Sequence, residues 1–168
     1  MDVALVINPQ KTWLDPSGAL YMGEKGDILK VRIQSYLSGF SGKTIFVREK
    51  HAIEDTFFVT EKTHSIATSG EFHIADELKP YSKDVIDKIR YSSFFGTNLE
   101  NELIRAKATT VKLLGVETHT SVLFTAEGLR NRGYDVTLIE PCTMARDEYF
   151  HGCAVAIMAS FLGVHIGA

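Results

Sequence analysis

The chain has 168 residues, 45% hydrophobic and 23% charged, with a formal net charge of −3 and two cysteines. This composition suits one ordinary domain whose core needs no disulfide or metal staple. It excludes the basic footprint of a nucleic-acid binder and any apolar run near the ~18 residues of a membrane span; with no basic-then-apolar leader and cysteines (Cys142, Cys153) lacking metal-type spacing, it predicts a soluble cytoplasmic protein with no nucleic-acid or membrane partner.

Val3 to Ile7 is a short, almost unbroken apolar run, the pattern of a strand buried on both faces, and Asn8-Pro9 ends it. Trp13 to Gly26 reads as loop around the turn cluster Asp15-Pro16-Ser17-Gly18. Residues 27 to 38 carry Ile28, Leu29, Ile33, Tyr36 and Leu37 at helical spacing, and Thr44 to Val47 is a second strand. Residues 48 to 84 are irregular. A brief strand at Val85-Ile86 ends near Lys88, and an amphipathic helix runs from Leu99 to Ala108 behind a Thr97 or Asn98 cap. Val111 to Leu114 is the next strand, Thr120 to Arg132 a helix closed by Gly133, Val136 to Ile139 a strand, and Arg146 to Leu162 a last helix.

Strands separated by helices of this length imply right-handed parallel crossovers, hence an α/β fold: a three-layer α/β/α sandwich with a mostly parallel sheet of about five or six strands. Sites in such sheets form beyond the carboxyl ends of the strands. That rule selects Asn8, Arg48 to His51, Lys88 to Ser92 and Glu117 to Ser121, which can converge despite their distance in sequence.

The stretch Leu113 to Thr125 is the most informative. An apolar run breaks at Gly115 and a short polar turn leads into a helix, a place where α/β enzymes often hold a nucleophile. The candidate is Ser121, although serine is also common in a helix's first turn.

These strand ends resemble the isochorismatase-like, or cysteine hydrolase, superfamily, which includes nicotinamidases, N-carbamoylsarcosine amidases and isochorismatases. Val6-Ile7-Asn8-Pro9-Gln10 is similar to its V-I-D-x-Q segment. Lys88 to Leu99 fits K-x-x-x-S-x-F-x-x-T-x-L, and Gly115 to Ala126 fits G-V-x-T-x-x-C-V-x-x-T-A except at the cysteine. The resemblance covers nearly the whole chain and implies one isochorismatase-like hydrolase domain over residues 1–168, a small-molecule ligand, and a homodimer or homotetramer with segment 52 to 82 as a contact or lid region.

The family's triad is Asp, Lys and Cys; here the matching positions hold Asn8, Lys88 and Ser121. A thiol has a reference pKa near ~8.5 and is readily held as thiolate, whereas a serine hydroxyl needs a base to take its proton. Asn8 cannot be that base. One route left is a Lys88 whose pKa falls for want of a counter-ion, so that it serves Ser121 as in Ser-Lys hydrolases. The reading is therefore a hydrolase-fold protein acting on a small amide or a related C–N or vinyl-ether compound through a degenerate Asn8-Lys88-Ser121 triad; the alternative is a catalytically silent binding protein on the same scaffold. Little nicotinamidase activity is expected of the chain as it stands, and Asn8→Asp together with Ser121→Cys is expected to raise it.

The resemblance also implies a cis peptide between Val116 and Glu117 that aims N–H groups of the Thr120–Ser121 region at a substrate oxygen. Trp13, Phe94 and Phe95 are expected to wall the substrate pocket, with Val116, Glu117 and Thr120 around the nucleophile. No cofactor is required for the reaction. Glu49-Lys50-His51, then Asp55 and His64, resemble the D-x-H metal site of nicotinamidases and could hold zinc or a similar divalent ion.

Overall fold

The apolar runs become strands β1 (Asp2–Ile7), β2 (Lys43–Glu49), β3 (Asp84–Lys88), β4 (Thr110–Val116), β5 (Asp135–Met144) and β6 (His165–Gly167). The computed structural model describes residues 1–58 and 61–168. All the strand pairings are parallel, in the order β3-β2-β1-β4-β5-β6.

Alternation along each strand sorts the core into two halves. Val3, Leu5 and Ile7 join Ile45, Val47, Val111 and Leu113 on one face, covered by α3 (Leu99–Arg105), α4 (Leu123–Arg130) and α5 (Glu148–Ser160) through Leu103, Leu129 and Met158. Ala4 and Val6 join Phe46, Leu114 and Val116 on the other, covered by α1 (Lys11–Leu14) and α2 (Glu24–Gly39), whose Leu29, Ile33 and Leu37 repeat every four residues. This is the expected three-layer sandwich. No helix among the described residues is long and apolar enough to cross a membrane.

The chain starts at the centre of the sheet, works outward to β3, then crosses to β4 on the other side of β1. The strand order reverses between β1 and β4, and at that switch the carboxyl ends leave a crevice. Gly115 lets β4 pass close to β1 there: its φ is 109°, and a Cβ on it would lie 1.9 Å from the Ile7 carbonyl oxygen.

The end of α1 and the start of α2 at Glu24 fall inside the loop expected over Trp13 to Gly26, and three further elements depart from the sequence reading. The helix expected over 120–132 opens as one π turn, Thr118–Val122, before α4 begins. The strand expected over 136–139 continues to Met144 after a register shift against β4 between Leu113 and Gly115. β6 has three residues and exposed His165 and Ile166, too little apolar pattern to be legible.

Candidate active site

Each polar group at the switch point sits where a strand ends. Asn8 follows β1 with φ of 49°, a left-handed turn that asparagine tolerates. Glu49 and Lys88 close β2 and β3 and are register partners. Ser121 lies in the π turn after β4, behind a cis Val116–Glu117 peptide. All four side chains are buried. Lys88 Nζ donates to Glu49 Oε2 at 2.7 Å, to Ser121 Oγ at 3.1 Å and to the Arg90 carbonyl at 3.1 Å. Asn8 Nδ2 donates to Glu49 Oε2 at 2.9 Å and Ser121 Oγ at 3.2 Å, while Ser121 Oγ donates to Glu49 Oε2 at 3.4 Å.

The charges follow from this packing. Burial pushes the Glu49 carboxyl up, but the Lys88 ammonium and hydrogen bonds from His51, His64 and Lys88 outweigh it and hold Glu49 well below the usual carboxylate range. Burial pulls Lys88 down from the usual lysine value, and Glu49 opposes that pull. Lys88 therefore has a counter-ion that the sequence reading denied it, although its pKa is still lowered, as that reading expected, with burial the larger cause.

A small cavity of about 10 Å³, room for roughly one water, lies over Ser121. Asn8, Glu49 and Ser121 form its floor; Trp13, Phe57, Tyr91 and His64 its walls; Glu61, Glu117 and Thr120 its rim. At the rim Arg146 bonds Glu117 Oε1 at 2.8 Å and both oxygens of Glu61 at 3.2 Å, and Trp13 Nε1 donates to Glu117 Oε1 at 3.3 Å. A larger, mostly apolar recess of about 560 Å³ lies beside it, lined by Ile53, Ile66 and Ile89, and shares only His51 with the groups described here.

Glu49 Oε1 faces the other way. His51 Nε2 lies 2.9 Å from it and His64 Nε2 3.3 Å, and Glu49, His51 and His64 offer ligand atoms within 4.8 Å of one another. The Lys62 carbonyl at 2.7 Å can only accept, so His64 carries its proton on Nδ1; the Asp55 carboxylate at 3.0 Å does the same for His51. Each Nε2 then meets a carboxylate oxygen and needs a cation there: a second ring proton, with which the imidazolium donates to Glu49, or a metal ion. Burial disfavours a charged His64, but Glu49 and the Lys62 carbonyl raise its pKa. One carboxylate oxygen and two imidazole nitrogens, each oriented from behind, suit zinc.

Residues 3–167 match the isochorismatase domain model. The chain belongs to the isochorismatase family. It is 37% identical over 105 residues to the uncharacterized isochorismatase family protein YrdC of Bacillus subtilis, covering 57% of this chain and 56% of that protein. It is 32% identical over 95 residues to the ureidoacrylate amidohydrolase RutB of Acinetobacter baylyi, covering 55% of this chain and 39% of that one. The matched stretches thus span about half of these relatives or less. The nicotinamidase PncA of Bacillus subtilis has the same fold, with a TM-score of 0.90 and 23% identity over 99% of each chain. So has a pyrazinamidase of Pyrococcus horikoshii solved in complex with zinc, at TM-score 0.88 and 22% identity over 98% of this chain and 97% of that one.

Within this isochorismatase-family fold, the residues singled out in the sequence divide into those brought together, Glu49, His51 and His64 among them, and those that are not. Asn8, Lys88 and Ser121 converge, with Trp13, Glu117 and Thr120 beside them. Four others are placed elsewhere. Phe94 packs into a notch at Gly128 with the Arg132 guanidinium 4.0 Å from its ring, and Phe95 is 57% exposed. Both follow Lys88 closely in sequence, but the loop from Ser92 turns Phe94 against α4 and Phe95 toward solvent. Val116 buries its side chain in the core and brings only its backbone to the site. Asp55 lies behind His51 and orients it instead of joining Glu49, His51 and His64. The Thr120 N–H, expected to face substrate, is spent on the Glu117 carbonyl at 3.2 Å. Sequence reasoning missed Phe57, Glu61 and Tyr91 in the cavity, and Arg146 at its rim. None stands in a periodic or motif pattern that marks it.

Proposed function

We propose that this chain hydrolyses a small amide or ureido compound, with Ser121 as the attacking group and Lys88 beside it. The observation that carries this reading is the buried contact of Lys88 Nζ with Ser121 Oγ at 3.1 Å, beyond the carboxyl ends of a parallel sheet. A cation there steadies negative charge developing on Oγ. Asn8 lines the cavity, and its Oδ1 has no hydrogen-bond partner among the described residues, which leaves an acceptor for an N–H group. The amidohydrolase name of a relative supports the same class. A substrate larger than water has to displace wall side chains such as Phe57 and Tyr91.

Glu49, His51 and His64 would hold a divalent ion such as zinc, which when bound supplies Lewis-acid chemistry next to the cavity. The reading also includes homodimers or homotetramers in the cytoplasm. The outward Tyr149 and Ile157 of α5, with Phe161 just past its end, support assembly, which light scattering tests, and the free thiols of Cys142 and Cys153 support a reducing compartment.

The test is ammonia release from a panel of small amides and ureido acids, with the carbonyl product of a vinyl ether followed separately by chromatography, comparing the natural chain with Ser121→Ala. Turnover that Ser121→Ala abolishes is the expected result. Turnover that survives it removes the reading. Ligands that stabilise the protein without being turned over favour the silent binding protein instead.

A further inference from the structure

Among the described residues Ser121 Oγ has three hydrogen-bond partners, and two of them can only donate. The Lys88 ammonium has no acceptor, and Asn8 presents its amide nitrogen, because the same nitrogen also donates to a carboxylate oxygen. Among the described residues the hydroxyl proton of Ser121 therefore has one acceptor in reach, Glu49 Oε2 at 3.4 Å. We propose that Glu49 is the acid–base carboxylate of this site, delivered from β2 instead of from position 8 on β1; this rests on the amide-hydrolase reading above.

Asn8 and Glu49 fit as a matched pair. Oε2 of Glu49 is 2.7 Å from Lys88 Nζ and 2.9 Å from Asn8 Nδ2, so it holds both the place and the ion pair of a carboxylate serving Ser121. A second carboxylate at position 8 would face the first at that distance, and like charges so close cannot both ionise. The amide at position 8 turns that repulsion into a hydrogen bond. This revises the expectation that Asn8→Asp with Ser121→Cys would raise activity: with Glu49 in place, the added Asp charge has nowhere to sit.

The step balances within these groups. As Ser121 Oγ bonds to the amide carbon, its proton passes to Glu49 Oε2 and the carbonyl electron pair moves onto oxygen. When that pair returns, the C–N bond breaks and Glu49 gives the proton to the departing nitrogen. Water then adds to the Ser121 ester, losing a proton to Glu49. The proton goes back to Oγ as the acid leaves. Lys88 stays cationic throughout.

The test compares the natural chain, Glu49→Gln, Asn8→Asp and the double swap Asn8→Asp/Glu49→Gln, in excess EDTA so that no metal contributes. The probe is p-nitrophenyl acetate, read as p-nitrophenolate release and as an acetyl adduct on Ser121 by mass spectrometry. Denaturation midpoints are measured on the same four proteins. Glu49→Gln should slow acylation about 10²-fold or more, and the double swap should recover most of the loss. In stability, each single change should lower the midpoint and the double swap should restore it, because only one carboxylate beside Lys88 is balanced. Acylation of Glu49→Gln at the natural rate overturns the proposal, and so does a double swap that recovers neither rate nor midpoint. If the natural chain is never acylated but the midpoints couple as stated, the hydrolase reading fails while the relocated carboxylate stands. Midpoints that add independently remove the relocation as well.

Discussion

Glu49 and Lys88 are register partners on adjacent parallel strands, and their charged atoms meet at 2.7 Å with both side chains out of solvent. One carboxylate thus faces an ammonium and a hydroxyl through Oε2 and two imidazoles through Oε1. The proposed nucleophile and the candidate metal centre share a single residue.

Removing the ammonium exposes what it balances. Lys88→Met leaves Glu49 buried without its main counter-charge, and breaking such a pair costs about 3–5 kcal/mol. Urea denaturation should show that loss, and Lys88→Met/Glu49→Gln should recover much of it. A single Lys88→Met change within about 0.5 kcal/mol of the natural chain would mean that the pair does not hold the site together.

Zinc should bind at Glu49, His51 and His64, and calorimetry on the metal-stripped protein is the direct measurement. Asp55→Ala should weaken binding about 10–100-fold, since Asp55 orients His51 through Nδ1 without touching the ion. Complete loss on Asp55→Ala would make Asp55 a ligand, and no change would leave His51 oriented by something else.

Burial raises the pKa of Cys142 to about 11 from an ordinary 9.0. In that interval the unfolded chain has lost a proton that the folded chain keeps. Stability therefore falls as pH rises from about 9 to about 11, and Cys142→Ala should flatten that limb of the profile. In the folded protein at pH 8, iodoacetamide should reach the half-buried Cys153 and spare Cys142 until denaturant is added.

Gly115→Ala should abolish the native fold or cost about 3 kcal/mol or more, because the new methyl would meet the Ile7 backbone and the positive φ disfavours it besides. Circular dichroism and soluble yield measure this. A folded Gly115→Ala protein of natural stability would show that β1 and β4 separate easily at the switch point.

The layers were legible because their causes are local. Val3 to Ile7 is buried on both faces and reads as an apolar run, Val111, Leu113 and Leu114 are buried around a half-buried Lys112, and the crossover rule then fixes a parallel sheet. Asn8, Lys88 and Ser121 were legible because each follows such a run. Glu49 was read only as a metal ligand. Its second oxygen reaches Lys88 because β2 and β3 happen to end at the same level, and pairing register is not written in either strand alone. Phe94 and Phe95 were placed in the pocket from nearness to Lys88 in sequence, whereas Tyr91 and Phe57 meet only in space, with ring centroids 4.7 Å apart.

Gln10 carries a different kind of lesson. Its side-chain amide is fully buried, accepting from the Glu49 N–H at 2.7 Å and donating to the Glu49 and Phe72 carbonyls at 2.9 and 3.0 Å. It does for the end of β2 what another length of backbone would do, splicing two segments that have no strand between them. The segment Val6 to Gln10 therefore mixes two vocabularies. Position 8 speaks to chemistry and can change with it, while position 10 is carpentry that the scaffold needs whatever reaction it hosts. A reader who recognises such a segment by its glutamine has identified the building and learned nothing yet about its tenant.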